Sequence, residues 1–138
     1  MSSPAPDLLQ RLRTLLVEGP SLRLAVLFGS RIKGGARPSS DFDIGIIPVD
    51  RHLSLHVEFG LASALSEVVR AEVDLVRLDT DDPILGREVA RHGLCLFEEE
   101  AGMFAAYRAT AISRWLDFEE TIAPHRERFL RRLAESRP

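Results

Sequence analysis

The sequence predicts one domain of the α/β (α+β) class, a small mixed β-sheet with flanking helices. Three observations predict it. Short apolar runs alternate along the chain with longer amphipathic ones, in the order helix, strand, strand, helix, strand, helix, strand, helix. Glycine and proline mark most of the junctions. The length of 138 residues suits a single core rather than two.

Pro6 to Glu18 reads as the first helix. Leu8, Leu12, Leu15 and Leu16 fall near helical spacing, Asp7 sits at the start, and Gly19-Pro20 ends it. Leu22 to Phe28 is apolar enough for a buried strand. Gly34-Gly35 and Pro38-Ser39-Ser40 make the next segment turn-rich, with one helical turn near Arg31. Phe42 to Val49 is a second strand, closed by Pro48 and Asp50. Leu53 to Val69 is a second helix. Glu72 to Leu78 alternates, with Val73 and Leu75 opposite Glu72 and Asp74, and forms a third strand. A helix from Asp82 to Arg91 carries Pro83 in its first turn, where a missing N–H costs nothing. His92-Gly93 stops it before a fourth strand, Leu94 to Phe97. From Ala101 the chain reads as helix, broken near Pro124. Residues 1–100 thus form the main domain and residues 101–138 a helical extension of it. The order of the strands within the sheet is not readable.

Composition narrows the setting. The 45% hydrophobic and 28% charged content is that of a globular chain. The longest apolar run near the amino terminus is the five residues Leu24 to Phe28, too few to span a membrane. Met1 to Asp7 lacks the pattern of a secretory leader. The lone Cys95 cannot form an internal disulfide, which fits a cytoplasmic location. A net charge of −3 argues against direct binding of nucleic acid, yet its distribution is uneven. Residues 21–40 carry Arg23, Arg31, Lys33 and Arg37 and no acid, a local field that favours a triphosphate. Residues 121–138 hold five arginines against Glu127 and Glu135, which read first as a solvated helix face and second as a contact surface for an acidic protein or RNA.

The chemistry is concentrated in Gly29-Ser30, ten residues, then Asp41-Phe42-Asp43. Residues two apart on a strand share a face, so Asp41 and Asp43 converge where a divalent cation relieves their repulsion. A glycine turn beside them lets the backbone approach phosphate, and Ser30 adds a hydroxyl donor. Magnesium takes a few carboxylates together with substrate phosphates, and two cations can serve the attacking and leaving oxygens. A third acid should come from a neighbouring strand. Asp74 is best placed, with Asp79 and Glu72 as weaker alternatives. On a separate strand, Asp74 could both bind metal and take a proton from the attacking hydroxyl.

Gly29-Ser30-Arg31-Ile32-Lys33-Gly34 through Ser40-Asp41-Phe42-Asp43, followed by Val73-Asp74-Leu75-Val76, resembles the signature of the polymerase-beta-like nucleotidyltransferases. More narrowly it resembles the minimal nucleotidyltransferase (MNT) antitoxins encoded beside HEPN-domain ribonuclease toxins. The likeness covers about residues 8–100, and the helical tail suits it. It implies that family's fold, with transfer of AMP from ATP onto a tyrosine of the toxin. Asp41, Asp43 and Asp74 are then the catalytic metal-binding acids, with Mg²⁺ as cofactor, and Gly29, Ser30 and Lys33 bind nucleotide. Lys33 stands where the family commonly has arginine, keeping the charge but losing the bidentate fork, and Ile32 replaces a small residue. The implied partner is the HEPN toxin, in a hetero-oligomer with this chain. A domain this small has little room for a second, acceptor-selecting pocket, which favours a protein acceptor over an antibiotic.

Two other readings compete. One is a catalytically inactive binding module that neutralises the toxin by occlusion. The other is a small-molecule nucleotidyltransferase of the antibiotic-modifying kind. Other features read as structural. His52 and His56 lie four apart on a predicted helix without a third ligand, and read as surface. Arg87 and His92 echo a HEPN spacing but lack the tyrosine two positions on, and read as helix end. Phe104, Tyr107, Trp115, Phe118 and Phe129 cluster on the carboxy-terminal helix and make it the candidate docking surface. Cys95 reads as buried and inert.

Overall fold

In the computed structural model, which describes residues 5–29 and 42–136, the elements follow the expected order. Helix α1 (Pro6–Glu18) ends where the Gly19 N–H donates to the Leu15 carbonyl at 3.1 Å. Strands β1 (Leu22–Phe28) and β2 (Phe42–Pro48) follow, then α2 (Leu55–Val69), β3 (Val73–Arg77), α3 (Pro83–His92), β4 (Leu94–Glu98) and α4 (Met103–Glu135). The helical turn expected near Arg31 lies outside the described residues.

The four strands form one mixed sheet in the order β3-β2-β1-β4. β1 runs antiparallel to both β2 and β4, whereas β2 and β3 are parallel. The parallel pair is a consequence of α2, which carries the chain back so that both strands start at one end of the sheet. Each face is covered. Leu12 and Leu16 of α1 and Leu61 and Leu65 of α2 pack with Ala25, Leu27, Ile44 and Ile46 in one buried cluster. On the other face Leu24, Val26 and Phe28 meet Leu78, Val89, Phe104 and Tyr107, contributed by α3, α4 and the segment after β3. Because β1 and β2 are covered on both sides, they read as nearly continuous apolar runs.

Three sequence expectations need correction. Helix α2 begins at Leu55, because the Ser54 side chain caps it by accepting from the Val57 N–H at 3.2 Å. His52 therefore lies in the preceding turn, where its N–H donates to Asp50 Oδ1. It does not share a helix with His56. Second, α4 runs unbroken through Pro124. Pro124 and Glu120 are both exposed, so water can satisfy the carbonyl that the proline leaves without a donor. Third, the five aromatic residues of the tail do not make one surface. Phe104 and Tyr107 belong to the second core cluster, and Trp115 and Phe118 are half-buried, their ring centroids 5.6 Å apart. The Arg87 guanidinium lies 4.8 Å from the Trp115 ring centroid, which ties α3 to α4. Of the five, Phe129 is exposed, at 60%.

Cys95 is half-buried on β4 rather than enclosed. Burial pushes its thiol above the ordinary range, with Glu98 adding to the effect, so it stays protonated and unreactive near neutral pH. No helix among the described residues is long and apolar enough to cross a membrane.

Candidate active site

The ladder between β2 and β3 sets Asp43 directly beside Asp74. Register partners in a parallel pair project to the same face, so two carboxylates from distant parts of the chain lie side by side at the strand starts. Asp43 is half-buried and Asp74 exposed, which leaves the pair at a lip of the sheet rather than in its core. The lip is fastened from two directions. The Phe42 N–H donates to the Glu72 carbonyl at 2.9 Å, joining the starts of both strands. The Ser66 hydroxyl accepts from the Val73 N–H at 3.0 Å and donates to the Ala62 carbonyl at 2.9 Å, locking β3 onto α2 one residue before Asp74.

β1 delivers the glycine to the same place. Phe28 is the register partner of Asp43, and Gly29 follows with φ of 89°. In that left-handed conformation a side chain is strained. It would also collide, since a Cβ at Gly29 would meet Asp43 Oδ2 and stand 2.9 Å from its Cγ. The Gly29 backbone is thus pressed against the carboxylate, an approach open only to glycine.

The alternatives for a third acid are occupied or misplaced. Asp79 lies beyond the far end of β3, where Arg77 donates to it through Nε at 2.9 Å and Nη2 at 2.6 Å. Arg77 also reaches Glu58 at 3.2 Å and the Arg51 carbonyl at 3.0 Å. This arginine holds the Asp79 carboxyl below its usual range. Glu72 precedes β3 and stands outside the ladder. Ser30, Lys33 and Asp41 lie outside the described residues. Among the described residues no group of three or more side chains is arranged to hold a metal ion, so Asp43 and Asp74 form a pair there.

Sequence reasoning missed Ser66. A serine inside a helix usually bonds back to its own helix, and nothing in the sequence signals that it also takes a strand N–H. It missed as well a cavity of about 370 Å³ bounded by α3, α4 and the sheet, lined by Leu24, Ile47, Gly86, Tyr107 and Arg114 among others. This cavity shares a face with the acids but opens at the opposite end of the strands. Ile47 is four residues along β2 from Asp43, about 13 Å. Burial raises the Tyr107 phenol above its ordinary range, so that wall of the cavity stays neutral.

Comparison with known proteins identifies the family and the fold. Residues 10–101 match the family described as polymerase beta, nucleotidyltransferase. The protein adenylyltransferase MntA of Aphanizomenon flos-aquae (strain 2012/KM1/D3) is 27% identical over 130 residues, covering 86% of this chain and 87% of the relative. MntA of Shewanella oneidensis is 32% identical over 88 residues, 62% of this chain and 63% of that protein. Among solved structures, a chain of a toxin–antitoxin complex with AMP-PNP superposes with a TM-score of 0.76 at 24% identity, covering 88% of this chain and 98% of the other. A complex of tri-AMPylated Shewanella oneidensis HEPN toxin with its MNT antitoxin contains a chain matching with a TM-score of 0.71 at 23% identity, over 90% and 97% of the two chains. At those identities the superpositions establish a shared fold.

Proposed function

Since the chain belongs to the polymerase beta nucleotidyltransferase family, we propose that it is an antitoxin that transfers AMP from ATP to a tyrosine of a cognate HEPN-domain ribonuclease toxin. The observation that carries the reading is the ladder pairing of Asp43 with Asp74 at a lip against which Gly29 is pressed. In the reaction the tyrosine oxygen attacks the α-phosphorus of ATP, the bond to the bridging oxygen breaks, and pyrophosphate leaves. Asp74, the more exposed acid, is suited to accept the phenolic proton. Gly29 lets the backbone close on the phosphates, and Ser30 and Lys33 supply a hydroxyl and a positive charge.

The donors fit magnesium, being carboxylate oxygens at an open, water-accessible edge. Asp43 and Asp74, completed by Asp41, would hold it. When bound, Mg²⁺ supplies charge neutralisation for the phosphates and for the departing pyrophosphate. We read residues 1–100 as the transferase domain and residues 101–138 as its helical extension, acting in the cytoplasm within a hetero-oligomer with the toxin. The MntA relatives are named protein adenylyltransferases, and one structural neighbour is an antitoxin complexed with an AMPylated HEPN toxin, which supports a protein acceptor.

The test is incubation with the cognate HEPN protein and ATP labelled on the α-phosphate. The wild-type chain should label the partner, and Asp43→Asn and Asp74→Asn should each cut the rate by about a hundredfold or more. Absence of label with the wild-type chain, or undiminished label with both variants, overturns the proposal.

A further inference from the structure

Among the described residues, nothing packs beneath the last third of α4. Every residue from Pro124 to Glu135 is exposed. A helical stretch without tertiary packing is marginal in water, and this one also displays large apolar side chains. Ile112, Leu116, Leu130 and Leu133 are 43%, 61%, 56% and 47% exposed. With Glu119, Ala123 and Arg126 between them, they recur at alternating intervals of four and three residues, the seam spacing of a two-helix coil. Pro124 and the basic residues Arg128, Arg131 and Arg132 fall off this seam.

The order of residues along the seam identifies what covers it. Apolar pairs stand at both ends, and the middle holds Glu119 and Arg126, joined to each other at 3.1 Å across two turns. A copy turned end for end about the midpoint brings Leu130 and Leu133 against Ile112 and Leu116. The same rotation sets Glu119 of each copy beside Arg126 of the other. A parallel copy would instead align Glu119 with Glu119 and Arg126 with Arg126. The seam is therefore self-complementary in one orientation only, the property of a twofold interface. We infer that this face of α4 joins two copies of the chain as an antiparallel homodimer, over a contact about 33 Å long. Nothing in this pairing depends on the transferase reading.

Sedimentation equilibrium of the full chain tests it. The wild-type chain should dimerise, and Glu119→Arg and Arg126→Glu, which set like charges together, should each weaken self-association by about a hundredfold. Mixed in equal amounts, the two variants restore opposite charges on both sides and should dimerise again, while Arg128→Glu, off the seam, should behave as wild type. A wild-type chain that stays monomeric overturns the inference, as does a failure of the mixture to reassociate. If the wild-type chain is monomeric and Glu119→Arg instead abolishes binding of the cognate HEPN protein, the face belongs to that partner.

Discussion

Replacing Gly29 with alanine probes the lip where it is tightest. The left-handed conformation at φ of 89° costs a non-glycine residue roughly 1–3 kcal/mol. The new methyl group would also stand 2.9 Å from Asp43 Cγ. Carbon atoms in contact prefer about 3.5–4.0 Å, so Asp43 must retreat by about 0.6–1.1 Å at Cγ, and its Oδ2 by more, or carry the glycine turn with it. For a chain of this size the strain alone lowers Tm by about 4–12 °C. A carboxylate displaced by about 1 Å costs roughly a hundredfold in rate if it helps hold the reacting phosphate. Differential scanning calorimetry reads the first effect, and transfer of labelled AMP to the partner, assayed well below the variant's Tm, reads the second. An alanine variant with wild-type Tm would refute the backbone argument. A destabilised variant with transfer within twofold of wild type would refute the placement of Asp43 at the reacting centre.

The same substitution at Gly60 should have the opposite sign. That residue lies inside α2 with nothing within 4 Å of a new Cβ, so Gly60→Ala should stabilise by roughly 0.5–1 kcal/mol, seen as a higher Tm. Asp82 caps α3 by accepting from the Leu85 N–H at 3.0 Å, and Asp82→Ala should cost about 1 kcal/mol in urea unfolding. Asp79 gives a pH signature. Its folded pKa is depressed by the Arg77 hydrogen bonds, so its contribution is present above the unfolded value, near 3.8, and is lost as pH falls through the lower folded value. Asp79→Asn should therefore be less stable than wild type at pH 7, and the gap in Tm should close as pH falls from 5 toward 2.

How much of this was readable from the chain depended on the range of the forces involved. β1 was legible to the residue because a strand covered on both faces leaves an apolar run, broken only at Arg23, from Leu22 to Phe28 before Gly29. α3 was legible because its start is local chemistry, Asp82 as cap and Pro83 in the first turn. The strand order was not, since ladder partners are chosen by contacts across the whole fold. The preference for Asp74 over Asp79 rested on its place in an alternating strand and on the resemblance of Val73-Asp74-Leu75-Val76 to the family's third-acid strand. The ladder register and the ion pair at Arg77 show what separates the two acids. Pro124 misled because its usual cost depends on burial, and it sits in water. Trp115 and Phe118 misled for the converse reason, since their shelter comes from a helix earlier in the chain.

The lone parallel pairing in an otherwise antiparallel sheet has a temporal consequence. Neighbouring hairpin strands can meet early in folding, but β2 and β3 can align only after α2 has crossed over and docked. Asp43 and Asp74 are consequently brought side by side only by that docking. On the proposed reading, affinity for magnesium should switch on together with the pairing of β2 and β3.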